Sequence, residues 1–360
     1  VAHSAQNNDD FSAIVVVPTY NEEQHIEACL RSLITPHLSH VPFLVVDGMS
    51  EDLTQQIVLD LMNEFPNLHL IDNPDRLQSA ALNRAAAHPL AQGKATMVRC
   101  DAHSIYPQDF IARVIQSIRD MNAASIVTVM DAQGQTCFER ANAWIVDTPL
   151  GSGGSAHRGG TRSGYVDHGH HAGFNLDWFR KLGGYDASFS HNEDAEYDMR
   201  LTKAGGAIYL DADIRIAYVP RGSLGSLSRQ YFNYGKGRAR TVLKHKTVPK
   251  IRQMLPVLAF MGTVLGLLLA PFSPVGIVIA GAYASLVVLT SAFILVSKRS
   301  VCGIWAGPAM AAMHLAWGAG FLTQMLRNLA ITSRRQDAPT TEARRETVAP
   351  RKTEKNVSNT

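Results

Sequence analysis

The chain has 360 residues, of which 46% are hydrophobic and 18% charged, with a formal net charge of +3. That length holds one large domain or two smaller ones. The four cysteines (Cys29, Cys100, Cys137, Cys302) stand apart with no C-x-x-C pair, which argues against a disulfide framework and for a reduced, cytosol-facing catalytic part.

The opening VAHSAQNNDDFS is polar without an apolar core, so no cleaved signal peptide is expected there. FSAIVVVPTYNEEQHIEACLRSLI gives a β-branched strand over 13–17, a Pro-Thr-Tyr-Asn break, and an amphipathic helix from about Glu22. VPFLVVDG is a second strand ending on Asp47, and SEDLTQQIVLDLMNEF a second helix with Ser50 as its cap and Glu51 and Asp52 in its first turn. NLHLID and RLQSAALNRAAAH form the third strand and helix, KATMVRCDA and PQDFIARVIQSIRDM the fourth. This alternation predicts an α/β fold with a doubly wound, mostly parallel sheet. Ligands of such sheets lie beyond the carboxyl ends of the strands, where Asp47 and Asp101 fall. No G-x-G-x-x-G follows the first strand and no G-x-x-x-x-G-K-[ST] occurs, so a dinucleotide fold and a P-loop NTPase lose support.

Asp101 and His103 close the fourth strand in RCDAH. With a period of 2 they would project from one side of the chain. A carboxylate and an imidazole so placed hold a divalent cation; the competing reading is a polar turn that closes a core strand. GSGGSAHRGGTRSGYVDHGHHAGFNLDWF reads as a mobile, glycine-rich loop leading to an acceptor region. Its His168, His170 and His171 lack the Cys or Glu that would complete a zinc set. HNEDAEYDMRL opens a helix, with Asn192 as cap and Glu193 and Asp194 in the first turn. These acids either offset the helix dipole or serve proton transfer.

Charge is distributed unevenly further on. GKGRARTVLKHKTVPKIRQ carries seven Lys or Arg and no acid, and from Met254 to Leu326 only Lys298 and Arg299 are charged. Stretches 254–270 and 275–296 are apolar enough to span a bilayer, and 301–326, with Pro308 and many small residues, suits packing between helices. The basic run directly before the first stretch faces lipid headgroups or a lipid pyrophosphate, not nucleic acid, and holds residues 1–250 on the cytoplasmic side. Three spans would carry the tail outside, whereas Arg327, Arg334 and Arg335 favour the inside. The expected organisation is a polar segment 1–11, a catalytic domain 12–235, a basic juxtamembrane segment 236–253, about three transmembrane helices over 254–326, and a disordered tail 327–360.

VVVPTYNEEQHIEACLRSL, VVDGMSED, NPDRLQSAALN, RCDAH and HNEDAEYDMRL occur in the order and spacing of the family 2 glycosyltransferases, and residues 12–245 resemble that family. No one of these motifs is decisive; five in sequence are strong. The resemblance implies a GT-A fold and an inverting transfer of a hexose, with glucose favoured, from a UDP-sugar to a polyprenyl-diphosphate-linked saccharide. It places that reaction in bacterial exopolysaccharide assembly at the cytoplasmic face of the inner membrane, beside other polysaccharide-assembly proteins. It puts Pro18, Thr19, Tyr20 and Glu22 against the nucleotide, Asp47 at the uracil edge and Arg76 near the base or phosphates. Asp101 takes the first position of the family's D-x-D. His103 stands third, where Asp is commoner, and both would hold Mg²⁺ or Mn²⁺ against the diphosphate. Asp194 matches the catalytic base. Glu193, Gly173, Phe174, Gln230 and Tyr234 fall on the acceptor side. Where processive synthases carry Q-x-x-R-W, Gln230 is followed by Asn233 and Tyr234, which argues against a processive β-glycan synthase. A non-catalytic membrane scaffold of the same fold is disfavoured by Asp47, Asp101 and Asp194 standing together. A sugar nucleotidyltransferase is disfavoured by the acidic PTYNEE after the first strand.

Overall fold

The computed structural model describes residues 12–336; the polar segment 1–11 and the tail from 337 lie outside the described residues. The predicted alternation is present as β1 (Ala13–Thr19), α1 (Ile26–Leu33), β2 (Phe43–Asp47), α2 (Thr54–Met62), β3 (Leu68–Asp72), α3 (Gln78–Ala87), β4 (Thr96–Arg99) and α4 (Phe110–Asp120). β1 and β2 are apolar on both faces because helices cover both. In α1 the buried residues Ile26, Cys29, Leu30 and Leu33 recur at helical spacing and lie on the sheet. Ser50 does not cap α2, which begins only at Thr54; its hydroxyl is bonded to Asp47 instead.

The second half departs from the simple repeat. It comprises β5 (Ser125–Ala132), α5 (Cys137–Val146), the single turn α6 (Pro149–Ser152), β6 (Gly164–Val166), β7 (His170–Asn175), α7 (Leu176–Lys181), α8 (Glu193–Lys203), β8 (Ile208–Tyr218) and α9 (Leu224–His245). The stretch expected to be one mobile loop therefore contains two strands and a helix. The eight-stranded sheet runs β3-β2-β1-β4-β7-β5-β8-β6. β7 is antiparallel to β4 and β5, and β6 to β8; the other pairs are parallel. The carboxyl ends of β1, β2, β4, β5 and β8 consequently share one edge with the start of β7.

The C-terminal part forms α10 (Ile251–Leu269), α11 (Pro274–Ser297) and α12 (Ala306–Gln336). Among the described residues two helices, α10 with 19 residues and α11 with 24, are long and apolar enough to cross a membrane, and both are largely exposed. The third apolar stretch is helical but packs along α9. A β-carbon on Gly235 would lie 2.1 Å from the Trp317 carbonyl oxygen, and one on Gly320 2.0 Å from that of Phe232. Glycine at both positions permits this close crossing of α9 and α12. α12 runs through Arg327 to Gln336, so the tail expected from 327 is helical over its first residues.

Cys137 and Cys302 form a disulfide, with Cα atoms 4.9 Å apart, which corrects the expectation of none. It joins α5 to the turn Val301–Trp305 across 165 residues, a separation at which sequence spacing carries no pairing signal. Cys29 and Cys100 are free and buried.

Candidate active site

The carboxyl ends of β1 and β2 lie side by side and carry the candidate nucleotide residues. Thr19, the last residue of β1, is buried and its hydroxyl donates to the Val17 carbonyl at 3.0 Å. Pro18 pairs with Val46 beside it. Tyr20 is exposed, and the Arg76 guanidinium lies over its ring at 5.6 Å while reaching Glu51 at 3.2 Å. Asp47 is fully buried at the end of β2. Its oxygens accept from Ser50 and Gln55, so it organises the following loop, and a base can reach it only if one of them yields.

β4 ends at Arg99, not at Ala102, so Asp101 and His103 do not share a strand face. The chain turns because the Asp101 amide donates to the Tyr106 hydroxyl at 2.6 Å and the Ser104 amide to the Asp101 carbonyl at 3.1 Å. The two side chains still reach the same edge. Asp101 is 3.3 Å from His170 Nε2, and His103 Nδ1 is 3.1 Å from Glu22 Oε1, which joins the segment after β1 to the turn after β4.

Arg99, which sequence reasoning passed over, organises the centre. It is 5% exposed, yet its Nε lies 3.4 Å from Asp101 and its Nη1 3.2 Å from Asp194. One guanidinium therefore spans the carboxylate at the end of β4 and the one at the start of α8. Burial works against ionisation of Asp101, but Arg99 and then His170 outweigh it and hold the carboxyl well below its usual range. For Asp194 burial again opposes, and the Arg99 charge, His171, His170 and the Tyr185 hydroxyl bring it to about 2. Tyr185 and Arg99 both donate to Asp194 Oδ1. No described residue donates to Oδ2. Glu193 responds oppositely: burial, reinforced by the Asp194 charge, raises it to about 7. Asn192 precedes α8 in the left-handed conformation and does not cap it; its amide donates to the Tyr234 carbonyl at 2.8 Å.

That bond ties α9 to the start of α8. Gln230 donates to the Tyr234 hydroxyl at 3.1 Å, and the Tyr231 and Tyr234 rings are 5.6 Å apart. Gly173 and Phe174 are elsewhere than expected. They pair with Val98 and Met97 inside the sheet, Gly173 beneath Val114 and Phe174 within an aromatic core with Phe179, Tyr185 and Tyr197, and neither faces an acceptor. The basic run is engaged within the protein more than expected. Lys244 pairs with Asp186 and Glu196, Lys250 with Asp167, and Arg240 donates to the Ser188 carbonyl.

A mostly parallel sheet with inserted antiparallel strands, and carboxylates just past the end of β4 and at the start of α8, match the GT-A glycosyltransferase layout. The family model described as Glycosyl transferase family 2 matches residues 14–183, and the chain belongs to that family. It is 41% identical over 318 residues, 88% of this chain and 95% of the relative, to the succinoglycan biosynthesis protein ExoA of Rhizobium meliloti (strain 1021). It is 25% identical over 242 residues, 64% of this chain and 74% of the relative, to a dolichyl N-acetyl-alpha-D-glucosaminyl phosphate 3-beta-D-2,3-diacetamido-2,3-dideoxy-beta-D-glucuronosyltransferase of Methanococcus voltae. Among solved structures its fold is similar to the mannosyltransferase PcManGT from Pyrobaculum calidifontis in complex with GDP-Man and Mn2+, with a TM-score of 0.54 and 19% identity over 88% of this chain and 87% of that one.

Proposed function

We propose that this chain is an inverting glycosyltransferase that moves one hexose, with glucose favoured, from a UDP-sugar to a polyprenyl-diphosphate-linked saccharide in exopolysaccharide synthesis of the succinoglycan kind. The observation that carries the reading is the shared guanidinium: Arg99 holds Asp101 and Asp194 on either side of one buried position. A donor phosphate near Asp101 and an acceptor hydroxyl near Asp194 then flank one anomeric carbon. The hydroxyl gives its proton to Asp194 Oδ2 as its oxygen bonds to that carbon, and the sugar–phosphate bond breaks on the opposite face, releasing UDP. A single displacement inverts the centre, so an α-linked donor yields a β-glycoside. The raised Glu193 favours a second reading, in which it takes the proton, since a base poised near neutral pH transfers protons efficiently.

Mg²⁺ or Mn²⁺ suits the donor set. Asp101 and His103 offer one carboxylate and one imidazole, and no described cluster of three His, Cys, Asp or Glu residues builds a full cage. That fits a cation that takes its remaining ligands from diphosphate and water. When bound it stabilises charge on the leaving diphosphate.

The helices and their flanking charges support a location. The Lys and Arg run ahead of α10 and the Lys298–Arg299 pair after α11 both belong on the cytoplasmic side of an inner membrane by the positive-inside rule. Two spans satisfy both, with α12 returning to the catalytic domain, and the conflict raised by Arg327 disappears. Membrane lipids and other polysaccharide-assembly proteins are the expected surroundings. UDP release from a panel of UDP-sugars, each with a lipid-diphosphate-linked saccharide, tests the reading. Mass spectrometry of the product should show one added hexose, because Asn233 and Tyr234 replace the Arg-Trp of processive enzymes. A ladder would revive a processive synthase, and no release with any donor would return the chain to a scaffold.

A further inference from the structure

The segment between α6 and β6 holds two buried nitrogens without partners: His157 Nδ1 and Arg158 Nη1 bond to nothing among the described residues. The guanidinium hydrogen-bonds the Tyr218 hydroxyl, yet its Nη1 has no acceptor, and a shielded donor left unpaired is costly and seldom kept idle in a native fold. Its position is fixed by backbone. Arg158 bridges Met130 in β5, and the Met130 amide donates to the His157 carbonyl at 2.9 Å. The Arg158 guanidinium lies over the Tyr218 ring at 4.8 Å, at the end of β8. It thus stands on the same edge of the sheet as Asp101, but at the β5–β8 end, away from β1 and β2. Burial works against its charge, and the neighbouring Tyr218, Tyr234, Tyr231 and Asp147 favour it. No carboxylate among the described residues forms an ion pair with it.

We propose that Arg158, floored by Tyr218 and bordered by Tyr231 and Tyr234, binds a diphosphate on the acceptor side of the site. The inference rests on the glycosyltransferase reading for its substrate, since that reaction brings two diphosphates to this edge. One is the UDP that leaves, and the other links the acceptor saccharide to its lipid. A guanidinium fork matches phosphate oxygens in a bidentate way that no neutral side chain reproduces. Tyr231 packs in one apolar cluster with Ile145 of α5 and Met310 and Met313 of α12, which gives the α9 side of the site an apolar backing. Arg158 also supplies a cation that α9 lacks at Asn233, from a different segment of the chain.

Full-length protein in detergent, with Arg158→Gln and Arg158→Lys, tests this. Inorganic pyrophosphate titrated calorimetrically in EDTA should bind the wild type and bind R158Q about tenfold or more weakly, as expected for loss of a charge-assisted pair. R158K should fall between, because a point charge lacks the fork. Two further measurements identify the source. A raised KM for a lipid-diphosphate acceptor with unchanged UDP affinity assigns the site to the acceptor, and weakened UDP affinity with unchanged acceptor KM assigns it to the leaving group. Equal pyrophosphate binding by wild type and variants, or variants with neither kinetic change, overturns the proposal. If R158Q fails to fold, R158K decides alone: wild-type pyrophosphate affinity and acceptor KM in that variant overturn it. The pyrophosphate titration needs no turnover, so a protein that transferred no sugar would refute the proposed reaction while still reporting on the subsite.

Discussion

The β1–β4 half of the sheet and the β5–β8 half are built on different principles. In the first, each strand is followed by its helix, and the candidate site residues sit where the strands stop: Thr19 at the end of β1, Asp47 at the end of β2, Arg99 at the end of β4 and Asp101 just beyond it. In the second, β7 and β6 run backward, and site residues come from a helix start (Asp194), a strand start (His170), a long loop (Arg158) and a helix flank (Tyr234). These are tied by side-chain bonds across long separations, such as Asn192 to Tyr234 and Arg99 to Asp194. The β1–β4 half, proposed to hold the donor, is a product of local order; the β5–β8 half, proposed to hold the acceptor, is held by contacts that close loops. The second half is the easier to remodel, since loops tolerate change that a parallel core does not.

The sharpest way to break this division is at the carboxylates. Asp194→Asn should lower transfer by about 10²–10⁴-fold, the usual range for a general base. UDP affinity, measured by calorimetry, should stay within a few-fold, because the residue belongs to the acceptor half. If Glu193→Gln is the more damaging of the two, the base role moves to Glu193. Asp101→Ala should do the reverse, weakening metal-dependent UDP binding by about 10–100-fold, by analogy with substitutions around other metal sites. Chelation should silence the wild type until Mg²⁺ or Mn²⁺ is restored. An enzyme indifferent to EDTA would remove the metal role of both Asp101 and His103.

Legibility in the sequence followed the same line. The first four strands and helices could be read because hydrophobic period and strand ends are local properties, and Asp47 and Asp101 stood out as candidates at those ends. Asp194 was legible only through its motif. Arg99 was not, because an arginine inside an apolar strand carries no signal until its two carboxylates are seen to converge on it. β6 and β7 were hidden by glycine-rich, histidine-rich sequence. Gly173 was misread as an acceptor contact because a glycine required by packing under Val114 resembles one required by a ligand. The third apolar stretch looked like a span because composition does not distinguish a lipid-facing helix from one buried against α9.

A substitution at the α9–α12 crossing should affect one half only. Gly320→Leu forces a side chain against the Phe232 backbone, where overpacking typically costs about 1–3 kcal/mol. The expected outcome is a lower melting temperature in detergent and a higher KM for the lipid-linked acceptor, with unchanged UDP affinity. Truncation after Gln253 removes α12 altogether and should give the same pattern in stronger form: UDP bound, transfer to a long polyprenyl acceptor nearly lost. Loss of UDP binding in either protein would show that the two halves are not separable.

The smallest effect is expected in the link between α8 and α9, and only in acid. Glu196 is fully buried and accepts from Arg200 and from Lys244 of α9, with His245 at 3.1 Å. Burial opposes its ionisation, but the bonds from Arg200 and Lys244 prevail and lower its pKa from the ordinary 4.5. The unfolded chain therefore takes up this proton first as pH falls. The stabilisation is complete above about 4.5 and is lost as pH drops through the lower folded value. Asp186, brought to about 2 with Lys244 among the causes, contributes in the same direction. Glu196→Gln should thus be less stable than wild type at neutral pH, and the gap between their melting temperatures should close as pH is lowered from about 7 to about 3. UDP affinity at neutral pH should not change, because the contact lies wholly in the acceptor half. A gap that stays constant across that range would mean that Glu196 stabilises the α8–α9 link by packing alone.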